Sequence, residues 1–172
     1  EKFFNSVRRE PIGLISREEF TKFIIHQFVR RDVKVSQETA DAICVWARDI
    51  PADIQHFCAV VWDSLPEGKH FFEHKDFPEF LQREVEYQDE HFLQLWKALT
   101  NETDRAILRE LALRGPSLLT TEFCYSVGLD KSTLSRRVLK LTEGQLGFML
   151  HKRRAGYYFS DPFFEEWVRQ KT

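Results

Sequence analysis

Apolar positions recur at helical spacing along most of this chain, and punctuation residues divide them into short segments. After ten or so residues without a clear element, Ser16-Arg17-Glu18-Glu19 has the form of a capping box, with Ser16 as the cap and Glu19 at the third helical position. The helix that follows gathers Phe20, Phe23, Ile24 and Phe28 on one broad face. Ser36 is a second cap, opening a helix with Ala40, Ile43, Cys44 and Ala47 inside. Pro51 suits the first turn of a third helix, where its missing N–H costs little, and Ile54, Phe57, Cys58, Val61 and Trp62 form its stripe. Pro66-Glu67-Gly68 ends that helix, and residues 66–77 are predicted to be a loop. A single long helix is then predicted from about residue 78 to 99, with Phe80, Val85, Phe92 and Trp96 spaced to pack against both halves of the chain.

The C-terminal pattern is tighter. Asn101 caps a helix carrying Ile107, Leu108 and Leu111, which stops near Gly115-Pro116. Thr120 or Thr121 opens a short helix with Phe123, Cys124 and Val127, and Gly128 permits a sharp turn with positive φ. Asp130 caps the next helix, with Leu129 and Leu134 arranged as a hydrophobic staple. Leu134, Val138 and Leu141 face inward there, which leaves Lys131, Ser132, Ser135, Arg136 and Lys140 exposed. Two β-prone runs, 146–151 and 157–160, are joined by Lys152-Arg153-Arg154-Ala155-Gly156, a hairpin with a basic tip. A last helix follows Asp161-Pro162 and carries Phe163, Phe164, Trp167 and Val168. The predicted fold is mainly α: a helical lid-like domain over 1–77, a linking helix over 78–99, and a winged helix-turn-helix domain with a small β-hairpin wing over 100–172.

Charge sharpens this division. Residues 91–172 carry 13 Lys+Arg against 9 Asp+Glu, whereas residues 1–90 carry 12 against 18, so a formal net charge of −2 conceals two regions of opposite sign. A basic C-terminal region points toward nucleic acid. In a winged helix-turn-helix the second helix lies in the major groove. Arg136 or Arg137 would then reach a guanine edge, while Lys131, Lys140 and the tip Lys152, Arg153 and Arg154 meet phosphates. Ser132, Thr133 and Ser135 are short enough to let the helix approach closely. The competing reading of the same pattern is a protein-packing module, with Tyr157 to Phe159 as core of the wing sheet.

Catalysis within the chain is not expected. It lacks the Gly-x-x-x-x-Gly-Lys-Ser/Thr phosphate loop, its Asp and Glu pairs mark no acid–base couple, and it calls for no cofactor of its own. His70 and His74, with Glu73 and Asp76, would form a zinc site only on a helix and with a further ligand. Cys44, Cys58 and Cys124 sit in apolar surroundings and read as reduced core thiols. No apolar run reaches the roughly 18 residues of a membrane span, and no signal peptide is visible, so the expected location is cytoplasmic and away from membranes. A start at Glu1 without Met suggests a piece of a longer protein.

Residues 11–24, 46–62, 95–107 and 156–164 with Trp167 together resemble the C-terminal part of prokaryotic P-loop ATPases of the archaeal type, in the AAA+/STAND superfamily. Residues 11–24 (Pro-Ile-Gly-Leu-Ile-Ser-Arg-Glu-Glu-Phe-Thr-Lys-Phe-Ile) resemble the start of that family's helical lid. Ile50-Pro51-Ala52-Asp53-Ile54-Gln55, leading to Trp62, is similar to its lid segment, with Asp49 and Ile50 where the family has glycine before the proline. Leu95-Trp96-Lys97-Ala98-Leu99-Thr100 through Ile107 resembles the start of its winged helix, and Gln145-Leu146-Gly147 stands where a Gly-Leu pair often precedes the wing. Gly156-Tyr157-Tyr158-Phe159-Ser160-Asp161-Pro162-Phe163-Phe164 with Trp167 resembles its closing strand and helix. The resemblance implies a regulatory and recognition module of an ATPase, partnered in cis by a nucleotide-hydrolysing core that binds ATP and magnesium, and in trans by double-stranded DNA or a protein. The alternatives are a free-standing winged-helix transcription regulator and a protein-interaction scaffold.

Overall fold

Ser16 closes the expected capping box: its Oγ accepts from the Glu19 N–H at 3.2 Å, and the Glu19 carboxylate accepts the Ser16 N–H at 3.2 Å. The computed structural model describes residues 15–117, 119–143, 149–153 and 156–171. The residues ahead of Ile15 that resemble the lid start, the beginning of the predicted first wing strand at 146–148, and Arg154 lie outside them. From the Ser16 cap runs α1 (Arg17–Val29), followed by β1 (Lys34–Val35), α2 (Gln37–Trp46) and α3 (Pro51–Ser64). Ser36 caps α2 through the Thr39 N–H at 3.1 Å, and Pro51 occupies the first turn of α3.

Two sequence expectations are corrected in the middle of the chain. Residues 66–77 are not simply a loop: β2 (Phe71–Phe72) pairs in parallel with β1, Lys34 against Phe71 and Val35 against Phe72, and a 3-10 turn follows at His74–Asp76. A two-residue parallel pair leaves no periodicity to read. Burial holds it, with Phe72 packed between Phe28 (6.4 Å between ring centres) and Phe80 (5.4 Å). The predicted long helix over 78–99 is two helices, α4 (Phe77–Tyr87) and α5 (Asp89–Ala98), broken at Gln88, whose φ −92° and ψ 5° leave the helical region. Neither Gly nor Pro marks the break. It lets Phe92 pack on Phe164 and Trp167, and Asp89 accept the Trp167 indole N–H at 2.7 Å.

The C-terminal elements are α6 (Glu102–Arg114), α7 (Thr121–Val127), α8 (Lys131–Glu143), β3 (Leu150–Arg153), β4 (Gly156–Phe159) and α9 (Pro162–Gln170). Among the described residues the protein is mainly helical, with two small β pairs. Its buried apolar residues, from Phe20 to Val168, belong to one cluster that runs through both halves. Phe163 of α9 lies 4.8 Å from the Trp46 ring and 4.6 Å from that of His56. Cys44 is buried, and burial pushes the Cys58 thiol up to about 12, so both stay protonated at neutral pH. No group of three or more His, Cys, Asp or Glu side chains converges on a metal position among the described residues, and none of their helices is long and apolar enough to cross a membrane.

The turn between α2 and α3 carries unusual backbone. Arg48 (φ 54°) and Asp49 (φ 58°) are successive left-handed residues, a conformation that costs a non-glycine residue about 1 kcal/mol or more. Side chains hold it. Arg17 grips the Asp49 carboxylate with two N–H donors at 2.7 and 2.6 Å. The Arg48 guanidinium pairs with Glu165 and donates to the Phe159 carbonyl at 3.1 Å, while the Arg48 carbonyl accepts from Arg153 at 2.8 Å.

Asp53 lies half-buried at this seam. Burial, and then the nearby Asp161 carboxylate, raise its pKa to about 6 against the pull of Arg48, His56 and Arg153. An unfolded chain releases the same proton near pH 3.9, so the native state holds it between these values. The stability this contributes is present below about pH 4 and is lost as the pH rises through about 6. Asp53→Asn is therefore expected to flatten that decline and to raise stability at neutral pH by on the order of 2 kcal/mol. Urea denaturation from about pH 4 to pH 7 checks this, and parallel pH profiles for the two proteins would contradict it.

Candidate nucleic-acid interface

The basic face is built from α7, a tight turn and α8. Thr120 Oγ1 caps α7 by accepting the Phe123 N–H at 3.1 Å. Gly128 takes the left-handed conformation (φ 65°, ψ 33°) that glycine adopts without penalty, and the chain reverses into α8. Asp130 then accepts the backbone N–H groups of Ser132 at 2.9 Å and Thr133 at 3.0 Å, together with the Ser132 hydroxyl at 2.6 Å. These bonds, the Ser132 hydroxyl first, hold the Asp130 carboxyl well below the usual carboxylate range. Leu134, Val138 and Leu141 bury the inner stripe of α8, and Lys131, Ser132, Ser135, Arg136 and Lys140 are exposed, as the periodicity predicts.

Two refinements concern α8. Ser132 is committed to Asp130, so its hydroxyl belongs to the cap as well as to the surface. Arg136 and Arg137, interchangeable in the sequence, separate here. Arg136 is exposed, with one N–H 3.2 Å from Thr133 Oγ1, whereas Arg137 is half-buried with Nη1 3.5 Å from Asp104 on α6. Burial raises the pKa of Asp104, and the charges of Arg137 and then Lys140 draw it back.

The hairpin also departs from expectation. Lys152 and Arg153 are not at its tip but end β3, opposite Tyr157 and Gly156 respectively. Backbone pairing extends this far because β4 is also anchored outside the hairpin, the Tyr157 N–H donating to the Pro116 carbonyl at 3.0 Å. Lys152 is exposed, its ammonium 5.8 Å from the Tyr157 ring centre. Arg153 instead turns toward the helical half and donates to the Arg48 carbonyl. Phe159 is fully buried; Tyr158 stacks on His151 at 5.9 Å and lies 5.2 Å from the Arg48 guanidinium.

Sequence reasoning passed over Tyr125 on α7 and Leu139 on α8, which are 83% and 52% exposed. The signal was available: two residues from buried Phe123, Tyr125 falls on the far side of its helix, and Leu139 lies between the exposed Arg136 and Lys140 turns. No protein-family model matches this chain, and a search of curated proteins returns no match.

Proposed function

We propose that residues 100–172 form a winged helix-turn-helix that binds duplex DNA, and that the chain as a whole is the lid and winged-helix module of a P-loop ATPase. The observation that carries the DNA reading is the two-sided character of α8. A helix packed by Leu134, Val138 and Leu141 exposes Lys131, Ser135, Arg136 and Lys140 on its outer side, after a glycine turn and ahead of an antiparallel hairpin. In this reading Arg136 faces base edges, while Lys131, Lys140 and Lys152 neutralise phosphates. Arg153 contributes less, because its guanidinium serves the seam to Arg48.

The ATPase reading rests on the sequence resemblance, with one supporting feature. Asp49 adopts a left-handed conformation, the one that glycine takes without penalty, at the position where the resemblance places the family's glycine ahead of the lid proline. ATP and magnesium belong to the core such a module would close upon.

Fluorescence anisotropy with mixed-sequence duplex DNA across a salt series tests the DNA reading. The chain is expected to bind with affinity that falls as salt rises, and an Arg136→Ala/Lys140→Ala/Lys152→Ala variant to bind more weakly with a log–log slope smaller by about 2, one for each phosphate-facing lysine removed. Absence of binding at low salt, or equal binding by the two proteins, would overturn it. A protein partner is the second reading, favoured by the exposed Tyr125 and Leu139 beside the basic face, since aromatic and apolar anchors dominate protein contacts.

A further inference from the structure

Thr133, Arg136, Arg137 and Lys140 line a groove of about 260 Å³ along the flank of α8. Among the described residues its lining offers a hydroxyl, two guanidinium groups and an ammonium, all of them hydrogen-bond donors, and no carboxylate. The volume lies below the roughly 300 Å³ at which pockets for whole small molecules begin, and suits a single anionic group. Behind it is Asp104, 4% exposed, whose Oδ2 lies 3.5 Å from Arg137 Nη1 and whose Oδ1 has no hydrogen-bond partner among the described residues. A buried carboxylate with one long contact and one unsatisfied oxygen is a poor stabilising device. Its effect is local: it tethers Arg137 from the α6 side and offsets the mutual repulsion of three cations on adjacent turns.

Arg137 directly precedes Val138 and lies three residues after Leu134, so it flanks the buried stripe of α8, whereas Arg136 belongs to the outward side. A guanidinium has five N–H donors, and one nitrogen meets Asp104, leaving donors on the others.

We propose that this groove seats one phosphate oxyanion, with Asp104 as the positioning residue that holds Arg137 at its wall. The inference rests on the DNA reading for the source of the phosphate, a phosphodiester of the duplex backbone; free phosphate has the same chemistry. It assigns Arg137 to the backbone and leaves base reading to Arg136.

The test measures duplex DNA binding across a salt series for the chain and for Asp104→Asn, Arg137→Gln and the double variant. In parallel, inorganic phosphate is titrated while the arginine Nε–H resonances are followed by NMR. Arg137→Gln and Asp104→Asn are each expected to weaken DNA binding roughly 3- to 10-fold and to lower the salt slope by about 1. The double variant should bind no more weakly than Arg137→Gln, because Asp104 acts through Arg137. Asp104→Asn removes a negative charge, which by simple electrostatics would strengthen binding, so a loss without a lower melting temperature marks positioning. Wild-type affinity and slope in Asp104→Asn, or losses that multiply in the double variant, overturn the assignment. Binding of DNA with Arg137→Gln equal to wild type retires the seat and keeps the DNA reading. No DNA binding, with phosphate still moving the Arg137 resonance in the wild type and not in Asp104→Asn, retires the DNA reading and keeps the seat. Neither DNA binding nor a phosphate response overturns both.

Discussion

Phe163→Ala is expected to cost about 3–5 kcal/mol of stability and to lower both halves of the chain in one unfolding transition. Phe163 is 1% exposed at the start of α9, and its ring touches no single layer. It lies 4.8 Å from Trp46 at the end of α2, and 6.3 Å from Phe57 and 4.6 Å from His56 on α3. Truncation removes the transfer free energy of the ring and leaves a cavity lined by large aromatic groups that cannot collapse into it without leaving their own contacts. Arg48, Glu165 and Arg153 next to it span the same seam, so they lose the packing that keeps them in register. Urea denaturation followed by tryptophan fluorescence and by far-ultraviolet circular dichroism checks both statements. A loss below about 1 kcal/mol, or two transitions that separate in urea, would show that α9 does not couple the halves.

Gly156→Ala is expected to cost about 2–4 kcal/mol, the range in which backbone strain and overpacking combine. Gly156 adopts φ 148°, and a Cβ built on it would lie 2.3 Å from the Pro116 carbonyl oxygen. Backbone rather than a flexible side chain stands in the way, so the strand itself must move. The first bond to suffer is the one from the Tyr157 N–H to that carbonyl, at 3.0 Å, which ties the hairpin to the end of α6. Gly128→Ala is the matched control. A Cβ there meets nothing within 4 Å, so only its left-handed φ of 65° is penalised, at about 1 kcal/mol. Equilibrium denaturation ranks the two variants, and hydrogen exchange at the Tyr157 amide reports the local effect. Equal losses in both, with Tyr157 protection unchanged, would refute the close approach at Gly156.

Much of the candidate site was legible because it is made of local features. Asp130 followed by Leu134, Val138 and Leu141 at helical spacing defines a capped helix with one buried side, and the exposed positions follow by elimination. What periodicity cannot report is a partner far away in the chain. Arg136 and Arg137 are neighbours with the same chemistry, and only the approach of Asp104 from α6 distinguishes them. Arg153 reads as a free cation on a hairpin until the Arg48 carbonyl is found beside it.

The same division holds for the fold. The sequence by itself determined where most helices begin and which side of each is buried, since a cap or a stripe involves residues within about four positions of one another. Tertiary structure decided the parallel pairing of Lys34–Val35 with Phe71–Phe72, the break at Gln88, and the left-handed turn at Arg48 and Asp49. Each is unfavourable or unmarked locally and is stabilised from a distance: Phe72 is packed by Phe28 and Phe80, the turn at Gln88 is repaid by Phe92 and Asp89 meeting Trp167, and Arg48 and Asp49 are gripped by Glu165 and Arg17. Their energy lies in contacts tens of residues apart, which local spacing does not encode.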